Sequence, residues 1–397
     1  MVSKRMLGLG RARSLTREMF EYGRKRAAVV GPENVFDFSL GNPSIPCPDA
    51  VNEEAARILR ENGSSIHGYT SAQGAADARQ RIADSLNRRF SASYTADNFY
   101  LTCGAASALC CVFNGLCCPG DEFIVFAPFF PEYRVYIEGA GGKMVLLPPR
   151  TGDFGLPLDA LAAAVTPHTK GVLINNPNNP SGVVYSRDSL EQLARILTEK
   201  SRLYGHPIYL VSDEPYREIV MEGVEVAWLP HIYKDTIVCY SFSKSLSLPG
   251  ERLGYVLVPD DVTDASDVYA AAAGAGRSLG YVCAPSLFQQ VTSLCCDMTS
   301  DISVYRSNCS LLCSSLREMG YEVPQPGGAF YLFPKSLEPD DDAFCRRARD
   351  DFDLLVVPGY DFGAPGHFRI AYCVRPDMLR RSLPRFRALA ESYRAQR

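Results

Sequence analysis

Seven short apolar runs set the terms on which this chain can fold. They are N-F-Y-L-T (98–102), E-F-I-V-F-A (122–127), K-M-V-L-L (143–147), G-V-L-I-N (171–175), P-I-Y-L-V-S (207–212), T-I-V-C-Y-S (236–241) and G-Y-V-L-V (254–258). Many are continuous rather than alternating. A strand with one wet face alternates in polarity, whereas a strand covered on both faces does not. Helical patterns lie between the runs. One is S-R-D-S-L-E-Q-L-A-R-I-L-T-E-K (186–200), with Ser186 or Asp188 as its cap. Alternating β and α elements predict an α/β fold whose large domain holds a mostly parallel, doubly wound sheet.

The texture changes after about residue 285. A long helical region, about 285–319, leads into G-G-A-F-Y-L-F (327–333), L-L-V-V-P-G (354–359) and H-F-R-I-A-Y-C (367–373). These predict a smaller α+β domain built from both chain ends. The expected division is an N-terminal arm and part of the small domain over 1–45, a large domain over 46–285, and the small C-terminal domain over 286–397. No internal repeat or low-complexity segment interrupts this order.

Composition excludes several classes. The net charge of −4 argues against a dedicated nucleic-acid binder, which needs a clustered basic excess. No apolar run approaches the roughly 18 residues of a membrane span. The N-terminus carries several basic residues and no acid before Glu18. It lacks the apolar segment of a secretion signal, so it reads as an arm packing on a partner or on the protein's own body. Fourteen cysteines without a C-x-x-C spacing, together with five scattered histidines, predict no metal site. The cysteines read as small core residues in a reducing cytoplasm.

Ligands of open α/β sheets bind beyond the carboxyl ends of the strands, so the residues that follow each run carry the functional signal. After Thr102 come Gly104, Ala105, Ala106 and Ser107, small residues opening a helix whose backbone N–H groups can hold an anion. After 171–175 comes N-P-N-N-P-S-G (176–182), whose Asn-Pro steps force an extended loop. After 207–212 come Asp213 and Tyr216. A carboxylate in that position is costly unless a cation pairs with it. After 236–241 come Ser243 and Lys244, with Arg252 eight residues on. Most lysines are solvated surface charges. One at the end of an apolar strand is readily desolvated, which lowers its pKa and makes it a nucleophilic amine.

With these residues in place, the chain resembles the pyridoxal-phosphate-dependent aminotransferases of class I/II, fold type I, over roughly 35–390. The matching motifs are G-Y-T-S-A-Q-G (68–74), T-C-G-A-A-S-A-L (102–109), P-F-F-P-E-Y (128–133), N-P-N-N-P-S-G, S-D-E-P-Y (212–216), S-F-S-K (241–244) with Arg252, and F-R-I-A (368–371). The resemblance implies pyridoxal 5'-phosphate as cofactor, with Lys244 as its Schiff-base lysine and proton carrier. Asp213 would pair with the pyridinium nitrogen. Asn179 and Tyr216 would hydrogen-bond the ring's 3-oxygen, and Phe130 would stack on the ring. Ser241, Ser243, Arg252 and the backbone at Ala105 and Ala106 would hold the phosphate. Tyr69 would reach the phosphate of a neighbouring subunit, which implies a homodimer. Arg369 would bind the substrate α-carboxylate, with Gly41 lining the same pocket.

The implied reaction is amino-group transfer between an L-amino acid and a 2-oxo acid by a ping-pong route. The donor stays open among aspartate, alanine, aromatic or broad-range amino acids. Aspartate-preferring relatives use a second cation, in one subgroup a lysine at the position that Ala106 occupies here. Arg11 or Arg13 of the arm is the expected substitute. A C–S β-lyase of the same fold is the alternative activity, and a non-catalytic cofactor-binding regulator is a remote one.

Overall fold

Each of the seven runs forms a strand of one sheet. The computed structural model describes residues 2–11 and 14–395; Arg13 lies outside the described residues. A two-residue strand β1 (Phe36–Asp37) precedes β2 (Phe99–Thr102), β3 (Glu122–Phe126), β4 (Lys143–Leu147), β5 (Thr169–Asn175), β6 (Tyr209–Asp213), β7 (Thr236–Ser241) and β8 (Gly254–Leu257). The last seven pair in the order β2-β8-β7-β6-β5-β3-β4. Every pairing is parallel except the two made by β8.

The continuity of the runs follows from helices on both faces. Phe123 and Val125 pack with Val211, Ile237 and Val256, beneath Phe113 of the helix Ala105–Leu116. Ile124 and Phe126 point the other way, among Val172, Ile174 and the helix Arg187–Tyr204. Successive side chains of a strand face opposite sides, so burial of both sides needs an apolar residue at every position. In the helix Arg187–Tyr204, Leu190, Leu193 and Leu197 fall on one face and are fully buried. Ser186 caps it, accepting from the Ser189 N–H at 3.2 Å.

The chain ends build a second body. The strands β9 (Tyr331–Leu332), β10 (Leu354–Leu355), β11 (Val357–Pro358) and β12 (Phe368–Ala371) follow the large sheet. β11, β12 and β9 form an antiparallel sheet. β1 pairs in parallel with β10, Phe36 opposite Leu354, which ties the N-terminal segment to the C-terminal one. Phe38, Leu312, Phe330, Phe344, Ile370 and Phe386 share its core.

The helical region 285–319 is two helices rather than one long one. Ser286–Leu294 packs through Val291 beside Ile58 and Ile82, on the large body. Ser303–Glu318 packs through Leu312 and Leu316 in the small one. We propose that the bodies divide between these helices, at 295–302, instead of at 285. Hydrogen exchange that protects Ser286–Leu294 in step with Ser303–Glu318, rather than with the large sheet, overturns that division.

The arm contains a helix, Lys4–Arg11, with no buried residue. Arg5 fastens it to the chain's own body, donating to the Glu138 and Gly139 carbonyls at 3.1 and 3.4 Å. All fourteen cysteines are free thiols, and half of them are buried. Among the described residues no helix is long and apolar enough to cross a membrane.

Candidate active site

The strand ends of the large sheet and one edge of the small sheet face a common cavity of about 450 Å³. Its size is in the range of small-molecule sites. Lys244, Asp213, Tyr216, Asn179, Phe130 and Arg369 all line it. So do Gly41, Ala105, Ala106, Ser241, Ser243 and Arg252. Tyr69 does not: its side chain stands 99% exposed on the outer surface.

Lys244 follows β7 within the short helix Phe242–Ser245. Its Nζ donates to the Gly41 carbonyl at 2.7 Å, so the lysine bridges from the large sheet to the segment after β1. Desolvation brings its pKa down to about 8, and the Arg252 and Arg369 charges push the same way. The amine is therefore partly neutral at ordinary pH, as a nucleophile must be.

Asp213, the last residue of β6, is buried without a cationic partner among the described residues. Instead the Tyr133 hydroxyl donates to Oδ2 at 2.5 Å, and the Asn175 amide donates to the same oxygen at 3.3 Å. Oδ1 is buried with no hydrogen-bond partner among the described residues. Burial pushes the carboxyl up to about 7, the Tyr133 hydrogen bond restrains it, and the Glu214 charge adds to the rise.

Opposite the carboxylate lies an anion cradle. The helix Ala105–Leu116 starts after Gly104, which adopts a φ of 86° and offers no side-chain cap. A Cβ on Gly104 would stand 3.0 Å from Arg252 Nη2, so only glycine lets the guanidinium this close to the helix start. Arg252 is itself held by the Pro249 and Cys103 carbonyls at 3.0 and 3.3 Å. Ser241 and Ser243 add two hydroxyls 2.7 Å apart. Free N–H groups, a guanidinium and hydroxyls suit a phosphate dianion.

Arg369, on β12, is 3% exposed. It donates to Asn179 Oδ1 at 3.1 Å, to the Ser39 carbonyl at 2.5 Å and to Thr16 Oγ1 at 3.3 Å. Its plane lies between the rings of Tyr331 and Phe362, at 4.8 and 4.7 Å from their centroids. Its Nε is buried and unpartnered, a donor left for a ligand.

Several lining residues escaped the sequence reading. Tyr133 lay inside P-F-F-P-E-Y, and Asn175 closed a strand run. Asn175 was visible as a polar group at a strand end and Tyr133 as an aromatic opening the helix Glu132–Gly139, but nothing local aimed either at Asp213. Tyr331 carried no signal beyond an aromatic in a small strand. Arg17 lines the cavity from the helix Leu15–Val30, where the expected cations were Arg11 and Arg13; Arg11 is exposed and does not line it.

The orphaned Asp213 oxygen and the cradle at Gly104 fit a ligand with a cationic ring nitrogen at one end and a phosphate at the other. Comparison with known proteins agrees. A family model described as aminotransferase class I and II matches residues 33–386. An aspartate aminotransferase of Thermotoga maritima is 30% identical over 365 residues, covering 91% of this chain and 93% of that protein. A crystal structure of an amino transferase from Eubacterium rectale superimposes with a TM-score of 0.96 at 49% identity, covering 99% of each chain. Thermus thermophilus aspartate aminotransferase with maleate gives 0.85 at 27% identity, over 98% of this chain and 99% of that one.

The buried carboxylate makes a stability prediction for the cofactor-free protein. Between the usual carboxylate range and about pH 7 the native state holds a proton that the unfolded chain releases, so this group's contribution to stability falls as pH rises across that window. Asp213→Asn removes the penalty. The expected outcome is a higher unfolding temperature than wild type above about pH 7, with the gap closing as pH falls; a gap independent of pH contradicts the assignment.

Proposed function

The chain belongs to the aminotransferase class I and II family, and from that premise we propose how its residues divide the work. The enzyme is a pyridoxal-phosphate-dependent transferase that moves amino groups between an amino acid and a 2-oxo acid. The relatives' names, all aminotransferases, support the transferase over the lyase and the regulator. When bound, the cofactor supplies an aldehyde that condenses with amines and a ring that accepts the electron pair left on the substrate carbon.

Lys244 would hold the cofactor through its amine and, once released, would move the proton between the substrate α-carbon and the carbon of the cofactor's former aldehyde. Its lowered pKa supports both tasks. Asp213 Oδ1 takes the ring nitrogen's proton as its partner, which also relieves the burial cost of the carboxylate. Tyr133 and Asn175 keep that carboxylate aimed, since both engage the other oxygen. Asn179 spends Oδ1 on Arg369, so its Nδ2 is the donor left for the ring's 3-oxygen. Tyr216 donates to the same oxygen, and Phe130 covers a ring face. Ser241, Ser243, Arg252 and the N–H groups at Ala105 and Ala106 take the phosphate. Arg369 binds the α-carboxylate beside Gly41. Its fork is pre-aimed by three acceptors, so little rotamer freedom is lost on binding.

The observation that carries this reading is the orphaned Asp213 oxygen in the cavity that also holds the desolvated Lys244. A homodimer is part of the proposal, supported by Tyr69, an aromatic fully exposed and remote from its own chain's cavity. The fourteen free cysteines support a cytoplasmic location. In the test, Lys244→Ala binds cofactor but loses amino transfer; wild-type rates in that variant sink the reading. A monomeric particle in the same preparation sinks the dimer.

The donor class turns on Arg17. Its guanidinium engages no described residue, and it opens into the cavity from the first turn of its helix. We propose that it reads a side-chain carboxylate, as the aspartate aminotransferase names of the relatives suggest. Glu132 and Asp361 also line the cavity, and Asp361 Oδ2 is buried without a partner, which favours a basic donor instead. One assay separates the two. If Arg17 reads the substrate, Arg17→Ala lowers kcat/KM for aspartate about 10–100-fold and leaves alanine unchanged. A variant in which aspartate turnover is unmoved and lysine or ornithine is the better donor favours the acidic wall.

A further inference from the structure

Tyr331 sits where three functional groups meet, and the reading above gives it no task. Its hydroxyl is 2.9 Å from the hydroxyl of Tyr216, and the two rings cross at 83° with centroids 5.6 Å apart. Both side chains are buried. Tyr331 belongs to β9 of the small sheet, whereas Tyr216 follows β6 of the large one, so this hydrogen bond joins the two bodies at the cavity wall. The ring of Tyr331 is one of the two that sandwich Arg369. A Cβ on Gly41 would stand 2.0 Å from the Tyr331 hydroxyl oxygen, so glycine there gives the phenol its place. The carbonyl of that same glycine holds Lys244.

Proton counting gives the pair a direction. Each phenol has one proton. Among the described residues the Tyr331 hydroxyl has no hydrogen-bond partner other than the Tyr216 hydroxyl. If Tyr216 spends its proton on a ligand oxygen in the cavity, the proton between the two phenols must come from Tyr331. We propose that Tyr331 is a positioning residue for the transfer: its hydroxyl donates to Tyr216, commits the Tyr216 proton to the cofactor's ring oxygen, and its ring carries the carboxylate-binding Arg369. This rests on the assignment of Tyr216 and pyridoxal phosphate given above. A donor into the Tyr216 oxygen polarises its O–H and strengthens the bond it makes onward. The Arg369 cation against the Tyr331 ring favours release of the Tyr331 proton, opposing the effect of burial. Thus the group that binds the substrate carboxylate is linked through two phenols to the ring oxygen of the cofactor.

The test uses the cofactor-loaded enzyme and reads the pH midpoint of its visible absorption band, which reports proton affinity beside the ring oxygen. The titratable and charged groups facing the phenol pair are Arg369 on β12, Cys373 just after it, Asp213 at the end of β6, Tyr133, and Lys244 across Gly41. All are kept in every variant. Loss of a donor to an oxyanion raises its proton affinity. Tyr216→Phe therefore raises the midpoint. Tyr331→Phe, which keeps the ring under Arg369, raises it by a smaller amount. In the Tyr216→Phe background, Tyr331→Phe adds nothing, because its route runs through the Tyr216 hydroxyl. KM for the amino acid stays near wild type in Tyr331→Phe and rises in Tyr331→Leu, where the ring is gone. A midpoint unmoved in Tyr331→Phe, or moved equally in both backgrounds, overturns the inference alone. A wild-type protein that shows no visible band with added cofactor, or a Tyr216→Phe midpoint that does not move, overturns the site reading and the inference with it.

Discussion

A carboxylate buried at the end of an apolar strand is the constraint on which this site depends. Asp213 sits where β6 leaves the sheet, with one oxygen occupied by Tyr133 and Asn175 and the other without a partner. Leaving a buried polar atom unpaired costs on the order of 1–3 kcal/mol, and more for a charge. The fold tolerates this because the rest of the sheet is covered on both faces. In the proposed assignment the cofactor's ring nitrogen would remove the deficit, and the contact that orients the ring would also stabilise the protein, linking binding and folding through one oxygen atom.

The residue next to it shows the contrast. Glu214 is also buried, but it points away from the cavity and is paired. Its carboxylate accepts from Arg217 Nε at 2.6 Å and from the Ser212 hydroxyl at 2.6 Å. The Arg217 guanidinium lies over the rings of Trp228 and Tyr240, at 4.8 and 4.6 Å. Tyr240 in turn bonds Ser245, the residue after Lys244. Two adjacent carboxylates therefore have opposite fates. One is satisfied inside the protein and anchors the loop beneath the lysine. The other is left unsatisfied toward the ligand. Alternation along the extended chain puts them on opposite sides.

The cavity is also a junction between two bodies. Lys244 reaches Gly41, Arg369 reaches Asn179, and Tyr331 reaches Tyr216. Each of these bonds runs between a residue of the large sheet's strand ends and one from the chain-terminal body. Any shift of the small body against the large one moves Arg369 relative to Lys244. The helix Leu15–Val30 closes the same cavity by contributing Thr16 and Arg17.

Much of this was legible in the sequence because it was local. The seven apolar runs became the seven strands, and residues at or just after the ends of β5, β6 and β7 (Asn175, Asn179, Asp213, Tyr216, Ser243 and Lys244) line the cavity, since the carboxyl ends of parallel strands share one edge of the sheet. The sequence alone also put Lys244, Gly104, Arg252 and Asp213 at defined places after strands, and Lys244, Arg252 and Asp213 come together in one cavity. What it could not determine was pairing across long separations. Tyr133 meets Asp213 across 80 residues, Tyr331 meets Tyr216 across 115, and Arg369 meets Asn179 across 190. The arrival of Arg17, rather than Arg11, at the cavity was decided in the same way. Periodicity and turn chemistry act over a few residues, whereas these contacts exist only after two cores have packed and brought distant segments within hydrogen-bond reach.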